Sequence, residues 1–269
     1  MSGKPYAEVI GDPISHSKSP LIHNFWLGKL GIDAEYRAFH VRPGELADYF
    51  ARRRGDAEWR GCNVTMPHKQ AVMPMLDFIE LGVVRIGAVN TVTPDKTRKL
   101  HGHNTDGEGF LEPLGNRKFS SISVIGAGGA ARAVLSALAD SGVEQVTLQN
   151  RSIAKGKALL AEFGLKGKVV APGAEVPKAD LLANTSPLGM TNFSSMPGVE
   201  KFVKDGGLVY DIVTSPLETE LLKRARSRGQ NTIDGLAMLI GQAAVAFEKF
   251  FGQPAPRQFD AELRALLTA

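Results

Sequence analysis

Short apolar runs that end in glycine or a turn alternate with longer segments of helical spacing along the first 110 residues. The runs predict strands and the longer segments predict helices. Helix boundaries follow from Ser19 as an N-cap before Pro20, and from Gly31 as a C-terminal stop. Residues 89–92 and 99–101 predict a hairpin around Pro94-Asp95. The other expected elements are strands at residues 7–10, 35–41 and 61–64, and helices at residues 43–54 and from Pro67 onward.

A second series of strands and helices is expected from residue 119 to about residue 234. Its expected strands are residues 122–125, 145–149, 169–170, 180–183, 208–213 and a short one near Ile233. Residues 236–269 predict helices, with an interruption from Gly252 to Pro256. Such alternation is typical of an α/β fold with parallel sheets, and the crevice between two such domains is the expected ligand site.

Length and composition are those of a globular protein with two domains: 269 residues, 43% hydrophobic and 22% charged. No segment approaches the ~20 apolar residues of a membrane span. Residues 1–10 lack the apolar centre and basic flank of a signal peptide. The single Cys62 excludes an internal disulfide framework and indicates a reducing compartment. We therefore expect a cytoplasmic protein without a membrane partner.

The chain is basic, with a net charge of +4 and a pI near 9.1. It lacks the interleaved basic and aromatic residues typical of single-stranded nucleic-acid binding, so no nucleic-acid partner is expected. A mild positive bias instead suits small anionic ligands, such as a phosphorylated cofactor and a carboxylate substrate.

Residues 122–132, Ile-Ser-Val-Ile-Gly-Ala-Gly-Gly-Ala-Ala-Arg, predict a strand that turns through glycines into a helix. Gly126 permits the tight turn, Gly128 lets the backbone approach a pyrophosphate, and Ala131 lets the helix pack closely on the strand. The helix N-terminus presents free N–H groups and a positive dipole end to phosphates. This pattern predicts a Rossmann-like dinucleotide site.

The end of the second strand of this domain indicates which dinucleotide binds. NAD sites usually carry an acid there, to hold the ribose 2′-hydroxyl. This chain has Asn150-Arg151-Ser152 instead, with Lys155 one helical turn later. A guanidinium can bind a 2′-phosphate through two hydrogen bonds, so NADP is the expected cofactor.

Four polar clusters lie at the ends of expected strands or the starts of expected helices, where α/β sheets bind ligands. They are residues 15–20, 63–69, 87–91 and 104–107. Together with the glycine turn and Gly241-Gln242-Ala243-Ala244, they resemble the shikimate dehydrogenase family from about Ile10 to Phe247. The resemblance implies a cytoplasmic enzyme of aromatic amino-acid biosynthesis that reversibly reduces 3-dehydroshikimate to shikimate with NADPH.

The resemblance also implies domain and residue roles. It implies a substrate-binding and catalytic domain at residues 1–110, an NADP domain at 111–235, and helices at 236–269 that return to the first domain. Lys69 and Asp106 match the catalytic pair, in which Lys69 moves the proton at the reacting oxygen. Substrate-binding positions are Ser17, Ser19, Thr65, Asn90, Thr214 and Gln242. Cofactor-binding positions are Gly126, Ala127, Gly128, Gly129, Ala130, Asn150, Arg151, Ser152, Lys155, Ile212 and Gly235.

The chain departs from the family pattern at two positions. Thr214 follows Tyr210-Asp211-Ile212-Val213 where the family usually has a tyrosine, and Ala237 stands where it has a glycine. The first leaves the substrate open, since a quinate or other cyclic hydroxy-acid dehydrogenase is an alternative. A sensor that binds NADP or shikimate without catalysis is a further alternative, although retention of Lys69 and Asp106 argues against it.

Three histidines near the clusters, His16, His68 and His103, lack metal-ligand spacing. We expect them to lie around the site or on the surface, and we expect no metal. The sequence is equally compatible with a monomer and a homodimer.

Overall fold

The computed structural model describes residues 3–196 and 198–269. The chain divides into two compact units. Unit 1 comprises Met1–Thr105 and Gln242–Ala269, and unit 2 comprises Asp106–Gly241. One division lies between Thr105 and Asp106, and the other lies inside a long helix.

Unit 1 is built on a six-stranded mixed sheet of order β2-β1-β3-β5-β6-β4. Its strands are β1 (Tyr6–Gly11), β2 (Glu35–His40), β3 (Trp59–Val64), β4 (Phe78–Ile79), β5 (Thr91–Pro94) and β6 (Leu100–His103). Strand β1 runs parallel to β2 and β3, whereas β5 is antiparallel to both β3 and β6. Its helices are α1 (Ser19–Leu30), α2 (Leu46–Arg54), α3 (Leu81–Ile86) and, at the C-terminus, α9 (Asp260–Thr268).

The core of unit 1 surrounds strand β1, all six residues of which are buried. Large aromatic side chains fill the space on its faces, with Trp26, Tyr36 and Trp59 almost fully buried. Each contributes about 150–250 Å² of buried surface, so these rings dominate the apolar stabilisation of the unit. Strands β1 and β3 therefore hold the loops at their ends in fixed positions.

Unit 2 is a wholly parallel six-stranded sheet of order β12-β11-β10-β7-β8-β9. Its strands are β7 (Ile122–Ile125), β8 (Gln145–Gln149), β9 (Lys166–Val170), β10 (Ala179–Asn184), β11 (Val203–Asp211) and β12 (Asn231–Ile233). Its helices are α4 (Asp106–Leu111), α5 (Gly129–Asp140), α6 (Ile153–Glu162) and α7 (Glu220–Ser227). The long α8 (Gly235–Phe251) continues into unit 1.

This strand order is that of a Rossmann domain, because the chain starts in the middle of the sheet and builds outward in both directions. The reversal of strand order lies between β7 and β10. Ligands of open parallel sheets bind beside such a reversal, at the carboxyl ends of the strands. The predicted α/β fold with a Rossmann-like second domain is therefore confirmed.

Two local predictions are wrong. Ser19 is not the N-cap of α1, because Lys18 holds that position and its carbonyl accepts from the Ile22 N–H at 3.1 Å. No α-helix begins at Pro67 either, since residues 66–72 form consecutive turns. The Lys69 carbonyl accepts from the Val89 N–H at 2.7 Å, so a contact distant in sequence replaces the bond that a helix would need.

Among the described residues, no helix combines the length and hydropathy needed to cross a membrane.

Candidate active site

The glycine turn of unit 2 lies where the strand order reverses. Gly126 follows β7 directly and has a φ of +110°, a conformation that favours glycine. A Cβ at this position would lie 3.1 Å from Thr185 Oγ1 and 3.2 Å from the Ser186 nitrogen, in the loop after β10. The turn therefore needs glycine both for its backbone conformation and for this close approach.

Helix α5 starts at Gly129, with Gly128 as its N-cap. Gly128 is exposed, and a Cβ there would meet nothing within 4 Å. The first N–H groups of a helix have no partner within it, so an open glycine cap leaves them accessible to an anion. Ala131 is fully buried against the sheet, as its small side chain predicts. The backbone of Gly126–Ala130 thus provides a cradle that suits a pyrophosphate.

The junction between β8 and α6 carries the residues predicted to bind the 2′-phosphate. Ser152 is the N-cap of α6, and its hydroxyl accepts from the Lys155 N–H at 3.3 Å. Asn150 is half-buried and donates from Nδ2 to the Ser152 carbonyl at 2.8 Å. The side chains of Arg151 and Lys155 are exposed. The junction therefore combines a helix N-terminus with two accessible cations.

Ile212 and Gly235 pack backbone against backbone on the far side of the β7–β10 reversal. A Cβ on Gly235 would lie 2.3 Å from the Ile212 carbonyl oxygen and 2.4 Å from that of Val213. Any larger residue at position 235 would push the end of β11 away from the start of α8. These two predicted cofactor positions are thus in direct contact.

A buried carboxylate that the sequence analysis missed fixes the loop after β11. Asp211 is fully buried and accepts at Oδ1 from Asn184 Nδ2 (2.8 Å) and the Val213 N–H (3.2 Å), and at Oδ2 from Thr219 Oγ1 (2.7 Å). Burial raises the pKa of Asp211, and these three donors oppose the rise. Asn184 Oδ1 in turn accepts from Ser186, so one network joins the loops after β10 and β11. The only sequence signal was a run of polar residues at strand ends.

In unit 1, three predicted clusters meet around Thr105. Asn90 Nδ2 donates to Thr105 Oγ1 at 2.9 Å, and Asn90 Oδ1 accepts from the Thr105 N–H at 2.9 Å. Thr105 Oγ1 also lies 3.4 Å from Gln242 Oε1, on α8. All three side chains are buried. The structure therefore brings together two of the predicted substrate-binding residues, Asn90 and Gln242, through a threonine.

Two further polar residues, Asn63 on β3 and Tyr36 on β2, extend this network through hydrogen bonds. The sequence analysis assigned neither of them an individual role. The Tyr36 hydroxyl donates to Asn63 Oδ1 at 2.6 Å. Asn63 Nδ2 then donates to Thr91 Oγ1 at 3.0 Å and to the Asn90 carbonyl at 3.3 Å. The tyrosine thus fixes which way the Asn63 amide points. Tyr36 thereby supports the backbone beside Asn90 from β2, which is two strands away from β3 in the sheet.

Ser17 and Ser19 lie at the start of α1. The Ser19 N–H donates to Ser17 Oγ at 3.3 Å, and Ser19 is buried whereas Ser17 is half-buried. Thr65 follows β3, where its N–H donates to the Ile10 carbonyl at 2.9 Å. These residues therefore belong to the loops at the ends of two adjacent strands, β1 and β3.

Lys69 and Asp106, the predicted catalytic pair, belong to different units. Lys69 is half-buried in the turns after β3. Asp106 is buried and is the first residue of α4, directly after Thr105. Lys69 follows Thr65 in the turns after β3, and Asp106 follows Thr105, which bonds to Asn90.

The two departures from the family pattern both lie in unit 2. Thr214 is half-buried in the loop after β11, three residues beyond Asp211. Ala237 is half-buried in the first turn of α8, where its N–H donates to Asp234 Oδ1 at 3.3 Å. The side chain of Ala237 is thus accommodated in an ordinary helix start.

The three histidines have separate environments. His16 is exposed, whereas His68 is buried with Nε2 at 2.6 Å from the Val41 carbonyl oxygen. His103 lies 2.8 Å from Glu80 Oε1, and burial lowers its pKa. Among the described residues, no group of three or more His, Cys, Asp or Glu side chains could hold a metal ion.

A cavity of about 680 Å³ within unit 2 lies away from all these residues. It is lined by Leu111, residues 114–120, Leu138 and residues 141–145, near the ends of α4 and α5 and the starts of β7 and β8. None of the predicted site residues lines it. The amino ends of parallel strands are not where α/β sheets bind their ligands, so this cavity is not the candidate site.

Three family models match the chain. The shikimate dehydrogenase substrate-binding domain matches residues 9–92, the shikimate / quinate 5-dehydrogenase model matches residues 112–179, and the shikimate 5′-dehydrogenase C-terminal domain matches residues 235–259. The matches cover segments of both units and follow the expected order along the chain.

Full-length relatives agree with these matches. The chain is 54% identical to a shikimate dehydrogenase (NADP(+)) of Sphingopyxis alaskensis, over 98% of this chain and 97% of the relative. A shikimate 5-dehydrogenase from Thermus thermophilus, solved with NADP(H) and shikimate, is 34% identical. It has a TM-score of 0.86 and covers 98% of this chain and 99% of its own.

A second similar solved structure belongs to an enzyme that is named for a different activity. The ligand-free 5-ketofructose reductase of a Gluconobacter species is 29% identical, with a TM-score of 0.87 over 98% of this chain and 99% of its own. The fold therefore serves more than one substrate, and the family is decided by the domain models and by the 54% identity. On that evidence the chain belongs to the shikimate dehydrogenase family.

Proposed function

We propose that the chain is an NADP-dependent shikimate dehydrogenase, which reversibly reduces 3-dehydroshikimate to shikimate in aromatic amino-acid biosynthesis. The observation that carries this proposal is the 54% identity over nearly the whole chain to a relative of that name. The glycine turn at the strand reversal and the Asn90–Thr105–Gln242 network support it independently.

Unit 2 is the NADP domain in this proposal. The N–H groups of residues 127–130 would bind the pyrophosphate, and Asn150, Arg151, Ser152 and Lys155 would bind the adenosine ribose with its 2′-phosphate. Ile212 and Gly235 form the wall on the nicotinamide side. The cradle at Gly126, which a Cβ would fill, is the feature that suits this cofactor. Bound NADP(H) would supply or accept the hydride.

Unit 1 is the substrate-binding and catalytic domain, completed by the end of α8 and by α9. Ser17, Ser19, Thr65, Asn90 and Gln242 hold the substrate, whose carboxylate and hydroxyls suit hydroxyl and amide partners. Lys69 donates a proton to the ketone oxygen during reduction and accepts it from the alcohol during oxidation. Asp106 is the second member of the proposed catalytic pair. We propose a cytoplasmic enzyme that is a monomer or a homodimer, which sedimentation would distinguish.

Initial rates with shikimate and quinate, each with NADP and NAD, test the proposal. We expect the highest kcat/KM with shikimate and NADP. A higher value with quinate would refute the shikimate assignment and leave the dehydrogenase class intact. Binding of NADP or shikimate without turnover in any of the four combinations would instead favour the sensor alternative.

Quinate, or another cyclic hydroxy acid, is a second candidate substrate, and Thr214 is the observation that favours it. A tyrosine at this position can donate one hydrogen bond to the substrate, worth about 0.5–1.5 kcal/mol, or up to about 3 kcal/mol to a carboxylate. Threonine is shorter by most of a ring, which leaves space for water or a bulkier substituent. The same position therefore weakens shikimate binding and relaxes selection against quinate.

The substitution Thr214→Tyr tests this second candidate. If shikimate is the substrate, the variant should bind it up to about tenfold more tightly and use quinate less well. Loss of shikimate turnover in Thr214→Tyr, with another hydroxy acid as the better wild-type substrate, would show that the pocket serves that acid instead.

A further inference from the structure

The loop that carries Ser17 and Ser19 is ordered by few bonds of its own. The Ser17 N–H donates to the Ile14 carbonyl at 3.0 Å, and the Ser19 N–H donates to Ser17 Oγ at 3.3 Å. Both bonds lie inside the loop, and the Lys18 carbonyl accepts from the Ile22 N–H of α1 at 3.1 Å. These three bonds shape the turn and join it to α1, but they do not tie residues 17–19 to any other element. The side chain between the two serines makes that connection.

Lys18 extends from this loop to the C-terminal helix. Its Nζ donates to the Leu267 carbonyl at 2.7 Å, in the last turn of α9. Carbonyls at a helix C-terminus have no partner within the helix and form the negative end of its dipole. A half-buried ammonium therefore finds a strong, charge-assisted acceptor there.

Helix α9 is itself fixed on α1, at the other end of both helices. Lys29 Nζ lies 2.8 Å from both carboxylate oxygens of Glu262 and 4.6 Å from the centre of the Phe259 ring. Leu263 is fully buried and Leu267 nearly so. The buried Leu263 and Leu267 supply most of this anchorage, because the Lys29–Glu262 ion pair is partly exposed and such pairs contribute little. The Leu267 carbonyl is therefore a fixed point for the loop, with or without the Lys29 contact.

We propose that α9 positions the substrate-binding loop, and that Lys18 is the positioning residue through which it acts. The inference rests on the proposed function, since Ser17 and Ser19 are taken as substrate contacts. Without the Lys18–Leu267 bond, the loop populates other conformations, and the apparent affinity for substrate falls by the fraction that remains competent. Steps after substrate binding are unaffected, so the loss appears in KM.

Lys18→Met removes the ammonium and keeps the length of the side chain. We expect KM for shikimate to rise about 5- to 10-fold, with kcat and KM for NADP within about twofold of wild type. Lys18→Arg retains a cationic donor and should restore most of the affinity. Lys29→Met, which breaks the other charged contact between α1 and α9, is the matched control and should leave KM for shikimate within about twofold.

Combining Lys18→Met with a shortened chain tests whether the Leu267 carbonyl is the acceptor of the Lys18 hydrogen bond. A chain that ends at Arg264 lacks the Leu267 carbonyl and keeps the buried Leu263. It should raise KM for shikimate as Lys18→Met does, and adding Lys18→Met to it should cause no further rise. If the combined variant instead shows the product of the two separate rises in KM, the proposal is overturned. Lys18 would then act independently of α9, for example by binding substrate directly.

Hydrogen exchange of the peptide that covers residues 14–22 tests the same bond without any substrate. Exchange should be faster in Lys18→Met than in wild type and unchanged in Lys29→Met. Equal exchange in all three proteins would overturn the proposal. So would equal rises in KM for shikimate in Lys18→Met and Lys29→Met. Absence of shikimate turnover in the wild type would refute the proposed function alone, since the exchange comparison would still decide whether Lys18 holds the loop.

Discussion

At the scale of single residues, the proposed function assigns proton transfer to Lys69. Lys69→Ala should lower kcat about 10²- to 10⁴-fold, the usual range for loss of a general acid or base. NADPH affinity, measured by fluorescence titration, should stay near that of wild type. The neighbouring Gln70 is exposed, so Gln70→Ala is the matched control and should retain activity. Turnover near wild type in Lys69→Ala would exclude the lysine from the mechanism.

His23 predicts a loss of stability in acid. Its ring is fully buried and stacks on Tyr36 at 4.0 Å, and neither ring nitrogen has a hydrogen-bond partner in the described part of the chain. Burial lowers the pKa of His23 from 6.5 to about 3. Below pH 6.5 the unfolded chain therefore binds a proton that the folded chain excludes, and stability falls as pH drops toward 3.

Between pH 7 and pH 5 this single histidine should cost about 2 kcal/mol of unfolding free energy. His23→Phe keeps an aromatic ring without the titration, so its urea-unfolding free energy should fall by about 2 kcal/mol less over that interval. The exposed His16 serves as the control, and His16→Gln should follow the wild type. Parallel losses in wild type and His23→Phe would mean that His23 is not the acid-sensitive group.

Polar site residues were predictable from the sequence where the signal is local. Asn90 and Gln242 lie in short motifs, and the structure joins both to Thr105. The support from Tyr36 through Asn63 was not predictable, because it depends on which strands become neighbours in the sheet. Periodicity gives the face of a strand and leaves its partners undetermined.

The same distinction holds at the scale of elements. The strands of unit 2 were predictable because apolar runs in parallel sheets are continuous and bounded by turns. The helix expected after Pro67 does not form, since the Lys69 carbonyl bonds to Val89 instead of residue 73. Helix α3 was missed, because its six residues include Leu81 and Val84, which are apolar yet exposed. Short elements carry too few periods for a pattern to decide.

Strand β3 offers a matched pair of glycine substitutions. Gly61 has a φ of +139°, and a Cβ there would lie 2.3 Å from the Val92 carbonyl oxygen and 2.8 Å from the Phe250 ring. Gly61→Ala should therefore destabilise the protein by about 2–4 kcal/mol in urea unfolding. Gly28 lies exposed within α1 with nothing near its Cβ position, so Gly28→Ala should stabilise by up to about 1 kcal/mol. Similar effects at the two positions would contradict this account of β3.

The junction of β8 and α6 should decide cofactor choice. Arg151→Ala should weaken NADP binding by about 1.5–3 kcal/mol and NAD binding much less, because only NADP offers the 2′-phosphate. Isothermal titration with both dinucleotides measures the difference. Lys157 is an exposed cation further along α6, and Lys157→Ala should change neither affinity. An equal loss for NADP and NAD in Arg151→Ala would show that Arg151 does not contact the 2′-phosphate.

At the scale of the whole molecule, the net charge of +4 favours binding of the proposed anionic ligands. A positive surface attracts anions over roughly one Debye length, which falls from about 14 Å at 0.05 M salt to about 4 Å at 0.5 M. Attraction spread over the surface weakens with salt for every anion. A close contact between one residue and the 2′-phosphate adds a further salt dependence, which is lost when that residue is replaced.

The salt dependence of KM separates these two contributions. Between 0.05 M and 0.5 M KCl, KM for NADP should rise about threefold or more in the wild type, with a smaller change in kcat. Arg151→Ala and Arg228→Ala each lower the net charge of +4 by one unit, and both side chains are exposed. We expect Arg151→Ala to flatten the salt dependence and Arg228→Ala, at the end of α7, to leave it nearly unchanged. Equal flattening in both variants would assign the effect to net charge, and a salt-independent wild-type KM would show that electrostatic attraction does not govern cofactor binding.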